Sequence, residues 1–270
     1  MDHLVRELEK SRVSIDIIPA GAIDQQQLAQ HQLVISLGTR ALETLLQLNS
    51  NTPVLAIMVP KDSFLSLSTA PAHQAARDAG RLSALYLEQP YWRQLRLAGL
   101  IAPGIERVGV LLGPISRTHQ DELHAVIRQF GWQPQLTAMD NQDNPLAVIR
   151  SLVGSSDLLL AVPDQADFNR NTARWLLMLS LREQVPLIGF SRRYVEAGAV
   201  ASVFSSPVSI AAEAAQWVLN WQQSSDHRLP AAGYPQRFEI RLNAEVASRL
   251  NLTLPPLEQI SQALQEGNTP

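Results

Sequence analysis

Short apolar runs alternate with longer amphipathic stretches along this sequence, and the alternation starts afresh after Pro103-Gly104. Strands separated by helical patterns of about 10 to 15 residues make βαβ units and a parallel sheet, because parallel neighbours are joined only by a crossover. A restart of the cycle means two such sheets. The expected fold is therefore α/β, with two Rossmann-like lobes of parallel strands: residues 1–104 with about 205–270 form lobe one, and residues 105–204 form lobe two.

The first block opens on a charged helix over 1–10 with Leu4, Val5 and Leu8 on one face. A strand is expected over 13–18, where Val13, Ile15 and Ile17 recur with period two, then strands over 33–37 and 53–59 around a helix over 40–48. A long helix is expected over about 83–98. Because the block begins with a helix, the first strand of lobe one is expected to be missing. The second block reads strand 107–112, helix 117–130, strand 133–137, helix 145–153, strand 158–162, helix 169–184, strands 186–190 and 200–204, and helix 210–221. Beyond residue 224 a strand over 237–242 and a short helix over 244–250 are expected, and the polar end 265–270 is expected to fray.

Parallel sheets bind ligands beyond the carboxyl ends of their strands, where helix N-termini present N–H groups. Five loops hold such positions, and each places small or polar residues after an apolar strand. Gly38 permits close backbone approach, and Thr39 either caps the next helix or donates to a ligand carboxylate. Pro60 and Asp62 stand in the loop 59–63, and Ser116 and Thr118 in the loop 113–118 share the ambiguity of Thr39. Asp164 is placed either to hold a ligand ammonium or to make an Asx turn or helix cap. Phe190, Ser191, Arg192 and Arg193 follow the strand at 186–190, where a guanidinium is either a bidentate carboxylate clamp or a solvated charge. Phe64, Phe168, Phe190 and Tyr194 are candidates for stacking on a ligand or for the core.

Other chemistries find no support. Hydrophobic residues make up 46% of the 270 and charged residues 17%, so the chain packs a core; the net charge of −3 leaves no basic surplus for a phosphate backbone, and no nucleic-acid partner is expected. Cysteine is absent, which removes disulfides and thiolate chemistry. Gly189-Phe190-Ser191-Arg192-Arg193 is no nucleophile elbow, no GxGxxG follows a strand, and His119 and His124 lie off a common helical face. Neither a cofactor nor a metal is expected. No apolar run is long enough to span a bilayer.

In order and wording, four segments resemble the periplasmic substrate-binding proteins of ABC transporters, specifically the tryptophan/tyrosine-type group with the type I periplasmic binding fold. They are 157–164 (DLLLAVPD), 185–190 (VPLIGF), 194–199 (YVEAGA) and 243–255 (NAEVASRLNLTLP); Gly38-Thr39 and 88–113 fit the same group. The resemblance implies two lobes, hinged by crossover strands, that close over a small molecule, often an amino acid, and pass it to a membrane permease. It implies contacts from Gly38, Thr39, Pro60 and Asp62 on lobe one, and from Ser116, Asp164, Phe190, Ser191 and Arg192 on lobe two. A periplasmic monomer without catalytic residues is the expectation, with a membrane sensor as the alternative recipient and an α/β enzyme using Asp164 or a histidine as base as the second alternative. The sequence is expected to depart from that group by a missing first strand and export signal, and it departs by Val59-Pro-Lys-Asp-Ser63 where Thr-Asp-Pro is usual and by Asn251 where glycine is common.

Overall fold

A computed structural model describes residues 2–10, 13–140, 142–164 and 166–266. In chain order the elements are α1 (Asp2–Lys10), α2 (Gln25–Ala29), β1 (Val34–Leu37), α3 (Thr39–Gln47), β2 (Val54–Val59), α4 (Lys61–Leu67), α5 (Pro71–Asp78) and β3 (Leu82–Tyr86). There follow α6 (Tyr91–Ile101), β4 (Arg107–Leu112), α7 (Gln120–Gln129), β5 (Gln133–Ala138), α8 (Pro145–Gly154), β6 (Leu158–Leu160), α9 (Ala166–Arg182), β7 (Leu187–Gly189), α10 (Arg192–Glu196) and β8 (Ala201–Phe204). The chain ends through α11 (Pro207–Gln223), β9 (Glu239–Leu242), α12 (Ala244–Arg249) and α13 (Leu257–Glu266). Residues 267–270 of the expected frayed end lie outside the described residues, whereas Gln265 and Glu266 complete α13.

Two compact units emerge: Met1–Glu88 with Ser205–Glu239, and Gln89–Phe204 with Ile240–Pro270. The division falls at Glu88 rather than after Gly104, because α6 packs on β6, β8, α7 and α13 of the second unit and buries Leu95, Leu97, Ala98 and Ile101 completely. Residues 240–270 likewise belong to the second unit.

Unit one holds the sheet β1-β2-β3, parallel throughout, with Val34 opposite Val54 and Val54 opposite Leu82. Both of its faces are covered. Leu55, Ile57 and Leu85 meet α1 and α11 through Leu4, Leu8, Ile210, Ala214 and Val218 on one side; Val54, Ala56, Leu82 and Ala84 meet Leu42, Leu45 and Phe64 on the other. Strands buried on two faces read as unbroken apolar runs, and β3 is buried at every residue. For that reason the expectation of one helix over 83–98 fails: Leu82–Tyr86 is a strand, and the helix begins only after Pro90, whose ring excludes helical backbone just before it.

The expected strand over 13–18 is not formed. Its period-two alternation is real, since Val13 and Ile15 pack against the core while Ser14 and Asp16 are exposed, but among the described residues no strand shares backbone hydrogen bonds with it.

In unit two the sheet order is β5-β4-β6-β7-β8-β9, with parallel pairing from β5 through β8. The chain runs from β4 outward to β5 and then returns to the other side of β4 as β6. That reversal makes the carboxyl ends of β4 and β6 the topological switch point, where doubly wound sheets leave a crevice. At the opposite end of the same strands, Asp157 accepts from the Arg107 guanidinium at 2.6 Å and from the Arg107 N–H at 2.8 Å, which holds its carboxyl below the usual range. In the closing segment, Asn251 stands at φ 54°, the left-handed conformation in which asparagine substitutes for glycine most readily.

Candidate functional site

At the switch point of unit two, Asp164 clasps the loop that follows β4. Its Oδ2 accepts from the Ser116 N–H at 2.8 Å and from the Ser116 hydroxyl at 2.5 Å, while Oδ1 accepts from the Ile115 N–H at 3.3 Å. Ser116 in turn accepts the Gly113 N–H at 2.9 Å. Glycine is required at 113, because a Cβ there would lie 2.7 Å from Asp164 Oδ2 and 2.7 Å from the Phe168 ring. Arg117 secures the loop from the other flank through Asp140 at 2.6 Å, and Thr118 donates to the Ile115 carbonyl at 2.7 Å.

This geometry distributes roles among the candidates. Ser116 is completely buried with its hydroxyl committed at both ends, so it fixes the loop instead of facing solvent. Asp164 is half-buried at the rim. Ser191 caps α10 by accepting the Tyr194 N–H at 3.4 Å. Phe190 packs against Tyr194 with ring centroids 4.8 Å apart, and burial pushes the Tyr194 phenol up to about 12. Arg192 is exposed, with its guanidinium 5.9 Å from the Phe204 ring, and borders a depression of about 320 Å³ shared with Glu196, Arg241 and Asn243. Phe64 is fully buried in the core of unit one.

In unit one the carboxyl ends of three adjacent strands form a second rim. β1 ends at Gly38, whose φ of 85° turns the chain into α3 without a side-chain cap. Among the described residues the Thr39 hydroxyl makes no hydrogen bond, so the capping reading of Thr39 does not hold, and the first-turn amides of α3 stay available as donors. β2 ends in an irregularity: its register with β3 shifts between Ile57 and Val59, and Met58 takes φ 58°. A left-handed non-glycine residue costs about 1–3 kcal/mol, a local strain that concentrates at functional sites.

Pro60 then opens α4 without a capping side chain, and Glu88, one strand over, supplies the cap by accepting the Lys61 N–H at 2.8 Å. Burial raises the Glu88 carboxyl above its ordinary range, opposed by that hydrogen bond and reinforced by Asp62. Lys61 Nζ lies 5.6 Å from the Tyr234 ring, which meets Tyr86 edge-on at 5.3 Å. Burial also raises the Tyr86 phenol. The rim of unit one thus joins Lys61, Asp62, Glu88 and Tyr234 at the ends of β2 and β3, with Thr39 at the end of β1. Glu88 and Tyr234 are not among the candidates that the sequence offers, and Lys61 enters there only as a member of the loop 59–63. A raised carboxyl and a left-handed Met58 follow from tertiary burial and from bulge geometry, neither of which has a one-dimensional signature.

No protein-family model matches the sequence, and a search of curated proteins finds no match. Solved structures do match. A ligand-free, open substrate-binding protein with adhesive properties from Clostridium difficile superposes at TM-score 0.76 and 18% identity, over 96% of this chain and 92% of that one. The fold is that of the type I periplasmic binding proteins. An ABC domain in complex with L-Trp from Streptococcus pneumonia shares that fold at TM-score 0.62 and 16% identity, over 97% and 92% of the two chains. An amino acid ABC transporter substrate-binding protein from Pseudomonas fluorescens does so at 0.54 and 10%, over 84% and 75%. In the type I periplasmic binding fold the two α/β units described above are the two lobes, and among the described residues no helix is long and apolar enough to cross a membrane.

Proposed function

We propose that this chain is a non-catalytic solute-binding protein of an ABC-type uptake system, working outside the cytoplasm and delivering a small carboxylate-bearing metabolite of the amino-acid class to a membrane permease. The observation that carries the reading is the rim of unit one. There the uncommitted Thr39 hydroxyl and the α3 amides end one strand, and Asp62 and Glu88 end the next two. Neighbouring strands are about 5 Å apart, so donors suited to a carboxylate and acids suited to an ammonium stand within reach of one small zwitterion. Lys61 and Tyr234 border the same rim. Two proteins of similar fold, one in complex with L-Trp and one an amino acid ABC transporter substrate-binding protein, support the same class of ligand. On unit two, Asp164 and the loop it holds, with Phe190 and Arg192 beyond, are the second contact surface in this proposal; Gly38 and Pro60 shape the first by backbone geometry.

Thermal-shift screening of the purified chain against the twenty amino acids and simple aromatic carboxylates tests this. A ligand at one hundred times its Kd stabilises the folded state by about 2.7 kcal/mol, a rise of several degrees in Tm. Thr39→Val and Asp62→Asn are expected to weaken that ligand at least tenfold. A flat response over the whole panel overturns the proposal, as does chemical conversion of the ligand during incubation.

A further inference from the structure

Unit two carries a surface that neither rim uses. Helices α8 and α9 lie side by side on one face of its sheet, anchored by Ile149, Leu152 and Val153 from the first and by Leu176 and Leu179 from the second. Their outer sides face solvent, and the charge there is of one sign. Among the described side chains α8 and α9 present no carboxylate, whereas Arg150, Arg174 and Arg182 are exposed. This segregation occurs in a chain whose net charge is −3.

The spacing along α9 sets apolar groups into the same strip. Arg174, Met178 and Arg182 recur at four-residue intervals and so form one ridge of the helix. Met178 is 44% exposed, and Leu177 and Leu181 are partly exposed beside it. Trp175, also partly exposed, packs against the core below. The nearest carboxylate in sequence, Glu183, stands past the end of α9 and meets Arg182 at 3.5 Å with both side chains exposed, a pairing that water largely screens.

Arginines with aliphatic, thioether and indole groups between them match the surface of an anionic bilayer. The guanidinium groups reach the phosphates, their stems and the apolar side chains enter the headgroup boundary, and indole favours that boundary. A nucleic acid or an acidic polypeptide would satisfy the arginines and leave Leu177, Met178 and Leu181 without a partner. The 17 residues of α9 make a straight rod of about 25 Å, able to lie flat on a membrane.

We propose that the outer face of α8 and α9 is a docking surface for an anionic phospholipid bilayer, with Met178 seated at the headgroup boundary. The test titrates the purified chain with vesicles of phosphatidylcholine alone and of phosphatidylcholine with phosphatidylglycerol. Because cysteine is absent, Met178→Cys and, at an exposed position of α7, Ala125→Cys each take a single environment-sensitive dye. The phosphatidylglycerol vesicles are expected to bind the chain and to shift the dye at 178 to the blue, with the dye at 125 unchanged. Binding is expected to fall at least tenfold as salt shortens the screening length from about 30 Å to about 8 Å. Arg150→Gln with Arg174→Gln is expected to weaken it about 25-fold, about fivefold for each charge, at an unchanged urea midpoint. Absence of binding at low salt overturns the proposal, as do equal binding to phosphatidylcholine alone and a blue shift at 125 in place of 178. Displacement from the vesicles by duplex DNA or polyglutamate at equal charge, with the dye at 178 unshifted throughout, overturns it too, since that outcome is a general polyanion surface. The dye comparison keeps all the arginines, so it decides the matter even where the glutamine variant alters the fold.

Discussion

Replacing Ser116 by alanine removes one hydroxyl that serves two partners inside unit two. The Gly113 N–H loses its acceptor at 2.9 Å in a fully buried setting, which costs about 1–3 kcal/mol, and Asp164 loses a charge-assisted donor at 2.5 Å, worth about 1.5–3 kcal/mol. Asp164 keeps the Ser116 and Ile115 amides, so we expect a net loss of about 2–4 kcal/mol. Asp164→Asn retains one carbonyl oxygen for the two closer donors and turns an amide NH₂ toward the Ile115 N–H, for a loss of about 1–2 kcal/mol. Both changes act on the same bond, Ser116→Ala by removing its donor and Asp164→Asn by removing the charge of its acceptor, so the double variant should fall short of the sum by about 1 kcal/mol. Urea unfolding followed by circular dichroism measures all four corners of the cycle. Additivity to within about 0.5 kcal/mol would refute the reasoning, because it would mean that the Ser116–Asp164 clasp does not exist in solution.

Further consequences concern packing and pH. Gly113→Ala forces a methyl to within 2.7 Å of Asp164 and Phe168, and should destabilise unit two by about 1–3 kcal/mol in the same urea assay; a neutral effect would contradict the packing at the switch point. Glu88 has a folded pKa raised above the unfolded value of 4.5, so its burial favours the protonated form: stability gains as pH falls through the folded pKa toward 4.5, and the charged form burdens the fold above it. Glu88→Gln keeps an acceptor for Lys61 and should flatten that part of the profile of urea midpoint against pH; an unchanged profile would count against it. Asp157 has the opposite sign. Its depressed pKa gives stability above 3.8 that is lost as pH falls through the lower folded value, so Asp157→Asn should lower the urea midpoint slightly at pH 7 and leave it unchanged once the parent carboxyl is protonated.

Much of the fold is legible because both sheets are parallel and covered, so each strand is a compact apolar run between helical patterns; β4, β5 and β6 sit where that pattern places them. Two failures have opposite physical origins. Leu82–Tyr86 lacks the alternation that marks a half-exposed strand, and its Leu and Ala residues suit a helix equally well, so only Pro90 hinted at the boundary. Residues 13–18 carry the alternation without the neighbour, and a strand is a property of a pair. The short helices α4, α5 and α10 went unread because their apolar periodicity is too brief. At the rims, strand-end loops were found from position alone, and Gly38, Thr39 and Asp164 lie in them. What one dimension hides is which polar groups are already satisfied: Ser116 and Ser191 have partners, and Thr39 has none among the described residues.

Isothermal titration of the purified chain with the strongest amino-acid-class hit addresses the central claim most directly. The account predicts one ligand per chain, recovered chemically intact, with at least tenfold weaker binding in Thr39→Val. Absence of heat with every member of the panel, or a ligand consumed during the titration, would contradict it.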